Sequence, residues 1–118
     1  MRIKAAVYTR QRKKKHFRMA KGYYSNKRNR WRMTIQQIEK SLRYAYVDRK
    51  DRKGEFRKLW ITRLNAAARE QGLSYSKFIS GLRKANVLID RKMLAEVAVK
   101  DGVAFKQLAD IAKSSLVS

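Results

Sequence analysis

The chain has 118 residues, no cysteine and one histidine, and it carries 31 Lys and Arg against 9 Asp and Glu, a formal net charge of +22. This length holds one ordinary domain, or a smaller domain with a substantial tail, which argues against a two-domain enzyme. The residue counts exclude a disulfide framework, a thiol nucleophile and a Cys/His zinc centre, and the self-repulsion of so many cations points to a polyanionic partner, nucleic acid before anionic membrane.

The charge is concentrated at one end. Residues 1–58 hold 21 basic and 4 acidic residues, net +17, while residues 59–118 hold 10 and 5, net +5. Apolar residues run the other way, so the second half is where a core can form, and 60 residues is close to the lower limit for independent folding. Two domains are expected on this division: a basic extension over 1–58 and a small helical domain over 59–118. The extension cannot bury enough apolar surface to offset its ordering entropy, and parts of it are expected to order against a partner.

The extension opens with Arg2, Lys4 and the run Arg10, Arg12, Lys13, Lys14, Lys15, His16, Arg18. A second basic run, Lys21, Lys27, Arg28, Arg30 and Arg32, is interleaved with Tyr23, Tyr24 and Trp31. Cations that displace counterions from phosphates, set beside flat rings on which unstacked bases can lie, suit RNA better than smooth duplex. The bland alternative is that the rings pack on the chain's own helices. His16 has no nucleophile or carboxylate near it in sequence, so phosphate or base contact is the expected role.

The absence of proline permits long helices. From about Ser25 to Gln71 a narrow apolar stripe, Ile35, Ile38, Leu42 and Ala45, recurs at helical spacing. Fully helical, this stretch would extend roughly 70 Å. Gly54 costs about 1 kcal/mol in a helix interior, and a bend or break is expected there. Glu39 with Arg43, Asp48 with Arg52 and Glu55 with Lys58 are spaced for helix-supporting pairs and not for catalysis. The basic residues Arg49, Lys50, Arg52, Lys53, Arg57 and Lys58 spread around the helix, as suits a surface surrounded by phosphate.

Beyond this, four short amphipathic helices are expected. Trp60, Ile61, Leu64, Ala67 and Ala68 form the face of the first, stopped by Gly72. Ser74 caps a helix carrying Phe78, Ile79, Leu82 and Ala85. Asp90 caps one carrying Met93, Leu94, Val97 and Ala98. Asp101 opens the last, with Phe105, Leu108, Ile111, Ala112 and Leu116. Val87, Leu88 and Ile89 read as a connector. The fold class is all-α: a long basic N-terminal helical extension followed by a small C-terminal bundle.

No P-loop, dinucleotide fingerprint or paired-acid arrangement is present, so no catalytic residue, cofactor, metal or small-molecule substrate is expected. No apolar run is long enough to span a bilayer, and the stripe is too narrow for a membrane-surface helix. The chain reads as intracellular. Duplex DNA is the rival partner, because Ser74 to Asn86 could pass for the second helix of a helix-turn-helix with Lys77, Arg83 and Lys84 outward.

Several blocks carry a resemblance: residues 20–24, Tyr44 to Lys53, Phe56 to Arg69, Gly72 to Ala85 and Ile89 to Ala95. In order and spacing they resemble the bacterial large-subunit ribosomal protein L-twenty family, over essentially the whole chain. The resemblance implies a structural, non-catalytic protein of the large ribosomal subunit that binds 23S-type rRNA directly and early in assembly, resident in the cytoplasmic ribosome or an organellar one. It implies neighbours of the L-thirteen and L-twenty-one types. In some bacteria the family represses translation of its own message, which adds that mRNA to the implied partners. By position, the family's RNA-contacting arm falls on the basic residues from Arg2 through Arg32 and its basic helix on Arg43, Arg49, Lys50, Arg52, Lys53 and Arg57. Its C-terminal RNA surface is placed on Tyr75, Ser76, Lys77, Arg83 and Lys84. Two positions depart from the pattern: Gly54 stands where a basic residue is usual, and Ser25 where glycine is usual. The alternative reading, from charge alone, is a chromosome-associated DNA-binding protein.

Overall fold

The computed structural model describes residues 3–118. Arg2 lies outside the described residues. The element order is α1 (Ala6–Met19), a short 3-10 helix (Ser25–Arg28), α2 (Trp31–Glu70), α3 (Tyr75–Lys84), α4 (Arg91–Lys100) and α5 (Gly102–Val117), with no strand among the described residues. The all-α expectation holds. By contacts the chain forms two compact units that divide inside α2, between Asp51 and Arg52.

The N-terminal unit has little core. Its fully enclosed side chains are Ala20, Thr34 and Ile38. The Ile35 to Ala45 stripe is only partly used: Ile38 is buried, Ile35 and Ala45 are half-buried, and Leu42 is 57% exposed. Helix α1 buries none of its own residues, has no side-chain cap and has no acid in its first turn. An isolated helix of this length is marginal in water. A turn follows, with Gly22 at φ +89° and Ser25 at φ +59°. The left-handed region costs a non-glycine residue about 1–2 kcal/mol, so the serine sits where glycine would be free.

Helix α2 runs without a break through Gly54. The expected interruption does not occur, and the first of the four short helices is instead the C-terminal end of α2. A cost of about 1 kcal/mol at a single glycine does not outweigh helix-forming neighbours on both sides and the absence of proline. The end of α2 is a Schellman stop: Gly72 N–H donates to Arg69 O at 3.0 Å and Leu73 N–H to Ala68 O at 2.9 Å, with Gly72 at φ +80°. The same device closes α3, where Asn86 at φ +55° takes the glycine position and Val87 N–H donates to Leu82 O at 3.0 Å.

The three expected N-caps are all present. Ser74 accepts from Lys77 N–H, Asp90 from Met93 N–H and Asp101 from Ala104 N–H. Asp101 alone joins α4 to α5, which makes that connection as short as it can be. The core of the C-terminal unit gathers Leu64, Ala68, Leu73, Phe78, Leu82, Leu94, Ala95, Phe105, Ala109 and Ala112. Phe78 and Phe105 pack with centroids 5.1 Å apart. Helix α5 lies mainly against α3 and α4, and α3 comes so close to it at Gly81 that an added Cβ would sit 2.5 Å from Ala112 O.

Candidate nucleic-acid interface

In the N-terminal unit the apolar residues of the turn and the start of α2 hold the arm together and leave the cations outward. Trp31 is the hub. His16 meets it edge-on with centroids 5.4 Å apart, Phe17 is tilted against it at 5.9 Å, and Lys13 Nζ lies 5.4 Å from its ring centre. His16 Nδ1 donates to Arg12 O at 2.9 Å. Tyr23 O–H donates to Ser41 Oγ at 2.9 Å.

The three rings therefore divide. Trp31 and Tyr23 are used internally, as the bland alternative has it, whereas Tyr24 is 88% exposed with its faces open. Lys4, Arg10, Arg12, Lys14, Lys15 and Arg18 are all exposed, and Lys13 is half-buried beside Trp31. Lys21, Lys27, Arg28, Arg30 and Arg32 are exposed as well. Around the turn, Phe17, Lys21, Gly22, Arg28 and Asn29 line a concavity of about 560 Å³. It sets two cations beside a half-buried ring.

Along α2, Arg43, Arg49, Lys50, Arg52, Lys53 and Arg57 are exposed. Lys50 Nζ lies over the Tyr46 ring at 4.3 Å. Of the three expected acid–base pairs only Glu55 with Lys58 forms, at 3.0 Å. Exposed pairs gain little, so Arg43 and Arg52 remain outward without closing on Glu39 or Asp48.

On α3, Ser76, Lys77, Arg83 and Lys84 are exposed, but Tyr75 is half-buried against the core and its hydroxyl accepts from Arg91 Nε at 2.7 Å. Nothing in the sequence marks Arg91 for this contact. As a helix-start residue after a capping aspartate it carries no local signal of reaching back sixteen residues. The two inner faces Phe78 and Leu82 are buried, so this helix presents its cations and not a full recognition surface.

On α4, Lys100 Nζ pairs with Glu96 Oε1. The hydrogen bond from Lys100, its charge and then the charge of Lys92 hold the Glu96 carboxyl below its usual range, against a small opposing effect of burial. The pair therefore supports the folded state above the ordinary carboxylate range, and this support is lost as the pH falls from there through the lowered value. Both partners are exposed, so the effect is small.

The surface and fold define a basic, all-helical protein that carries its cations outward. The profile of the family described as Ribosomal protein L20 matches residues 2–108. The chain is similar to the large ribosomal subunit protein bL20 of Elusimicrobium minutum, 53% identical over 116 residues and covering 98% of each chain. It is similar to those of Natranaerobius thermophilus and Carboxydothermus hydrogenoformans, each 56% identical over 115 residues with 98% of each chain covered. The chain belongs to the ribosomal protein L20 family. It is accordingly a structural, non-enzymatic constituent of the large ribosomal subunit. This membership gives no support to the chromosomal reading. Among the described residues no helix is long and apolar enough to cross a membrane.

Proposed function

We propose that the chain binds large-subunit rRNA directly through its basic arm and α2, and that it enters the subunit early, holding RNA segments together while the rest assembles. The observation that carries this is the pairing of a net charge of +17 over residues 1–58 with a core of three enclosed side chains among the described residues of the N-terminal unit. So much charge on so small a core is stabilised when phosphates replace the repulsion between cations. Phosphate contacts supply affinity, and the shape of the folded RNA together with the open Tyr24 ring supplies site choice. Residues 1–58 act as the binding extension and 59–118 as the folded anchor, with Ser76, Lys77, Arg83 and Lys84 as a second contact and Tyr75 positioning Arg91. Large-subunit neighbours of the L-thirteen and L-twenty-one types, and an RNA fold in its own message that imitates the ribosomal site, complete the expected partners.

Binding of the full chain to large-subunit rRNA, measured across salt concentrations, tests this. About ten neutralised phosphates give a log–log slope of about −7 to −9, and an equal phosphate concentration of duplex DNA leaves the complex intact. A slope near zero, or displacement by the duplex, would contradict the proposal.

A further inference from the structure

The C-terminal unit carries a groove that neither the basic arm nor the α3 surface accounts for. Between the end of α2 and helix α4 lies an open groove of about 260 Å³, lined by Trp60, Ala95 and Val99 together with the cations Arg63, Lys92 and Lys100. Trp60 is half-buried and packs against the core. Phe56, 49% exposed, stacks beside it with centroids 6.4 Å apart and planes 29° apart. Val99 is 66% exposed. The sole carboxylate in the lining, Glu96, is already held by Lys100, while Arg63 and Lys92 close on no acid among the described residues.

We infer that this groove seats a single unstacked RNA nucleotide, its base against Trp60 and Val99 and its flanking phosphates on Arg63 and Lys92. The inference rests on the rRNA reading above and adds a base-stacking site to the C-terminal unit. Charge selects a polyanion, and the aromatic lining selects one with planar rings. An acidic peptide would satisfy the cations but bring no base to the exposed part of the indole. The volume lies below the range of about 300–1,000 Å³ typical of drug-sized ligand sites, which suits one base and excludes a helix laid lengthwise. A cationic groove that tracks a backbone beside rings that take bases is the general design of single-strand binding.

The test uses the full chain and large-subunit rRNA. The double variant Arg63→Ala, Lys92→Ala changes two exposed side chains, and circular dichroism verifies its fold. Its salt slope should be shallower than that of the unmodified chain by about 1.4 to 1.8, the share of two phosphates. Trp60→Leu should weaken binding about 5- to 150-fold, the range for loss of one base–aromatic stack. Ultraviolet crosslinking followed by peptide mass spectrometry should place a nucleotide adduct on Phe56 or Trp60. An unchanged slope in the double variant together with no adduct at either ring overturns the inference while leaving the arm's binding in place. Crosslinks from these rings to a protein segment in the assembled subunit assign the groove to a peptide and also overturn it. A flat salt dependence in the unmodified chain removes the rRNA reading itself, so the two failures are told apart.

Discussion

The N-terminal and C-terminal units solve the same problem, ordering a chain in water, with different materials. The C-terminal unit encloses ten apolar side chains, nine from four helices and Leu73 from the turn between α2 and α3, with capping side chains at the start of three of these helices. The N-terminal unit encloses three, one of which is a threonine, and its first helix has neither cap nor buried residue. One is held by its own packing, and the other is arranged around a tryptophan hub and left with its charge uncompensated.

The sharpest way to break the contrast is to remove packing from one side of it. Phe78→Ala is expected to cost about 3–5 kcal/mol and to lower the midpoint of the main unfolding transition, because the ring is fully enclosed and packed on Phe105. Urea denaturation followed by circular dichroism measures it. Gly81→Ala is expected to destabilise the same transition by about 1–3 kcal/mol. The added Cβ meets backbone of α5, which cannot move aside as a side chain could.

The N-terminal unit should respond in the opposite sense. Thr34 is enclosed with its hydroxyl unpartnered, a burial that costs about 1–3 kcal/mol, so Thr34→Val should strengthen this unit. Slower amide exchange in the first turns of α2 is the expected readout. Tyr24→Ala should leave the unfolding transition unchanged and weaken rRNA binding by about 1–3 kcal/mol per stacked base, measured by filter binding. The smallest effect is at Ser25. Ser25→Gly releases a left-handed strain of about 1 kcal/mol, and the expected outcome is greater amide protection across the turn after Tyr24.

The C-terminal unit was legible in the sequence because its signals are local. Side-chain caps at Ser74, Asp90 and Asp101, a glycine stop at Gly72 and apolar residues at helical spacing each act within a turn or two. Asn86 escaped notice because asparagine in the left-handed position has no spacing signature and is disclosed only by backbone geometry. Helix α1 was hidden for the reverse reason: with no cap, no acid in its first turn and no buried residue, nothing in its composition distinguishes it from a solvated basic tail. Gly54 misled because a breaker signal is weighed locally, whereas the helix around it is cooperative. In the candidate site, the cations were legible as a class, but the division of the rings was not. Tyr23 and Trp31 are occupied by Ser41 and by Lys13, His16 and Phe17, residues brought together by the turn, so sequence alone could not separate them from Tyr24. Trp60 has the spacing of a core residue, and its place in the groove becomes evident only when α4 is set beside it.

In the proposed reading the basic extension holds large-subunit rRNA. Ultraviolet crosslinking of the chain in cells, followed by sequencing of the attached nucleic acid, tests it most directly. Reads concentrated in a few helices of the large-subunit rRNA are the expected result. Reads spread over chromosomal DNA or over many unrelated messages would contradict it.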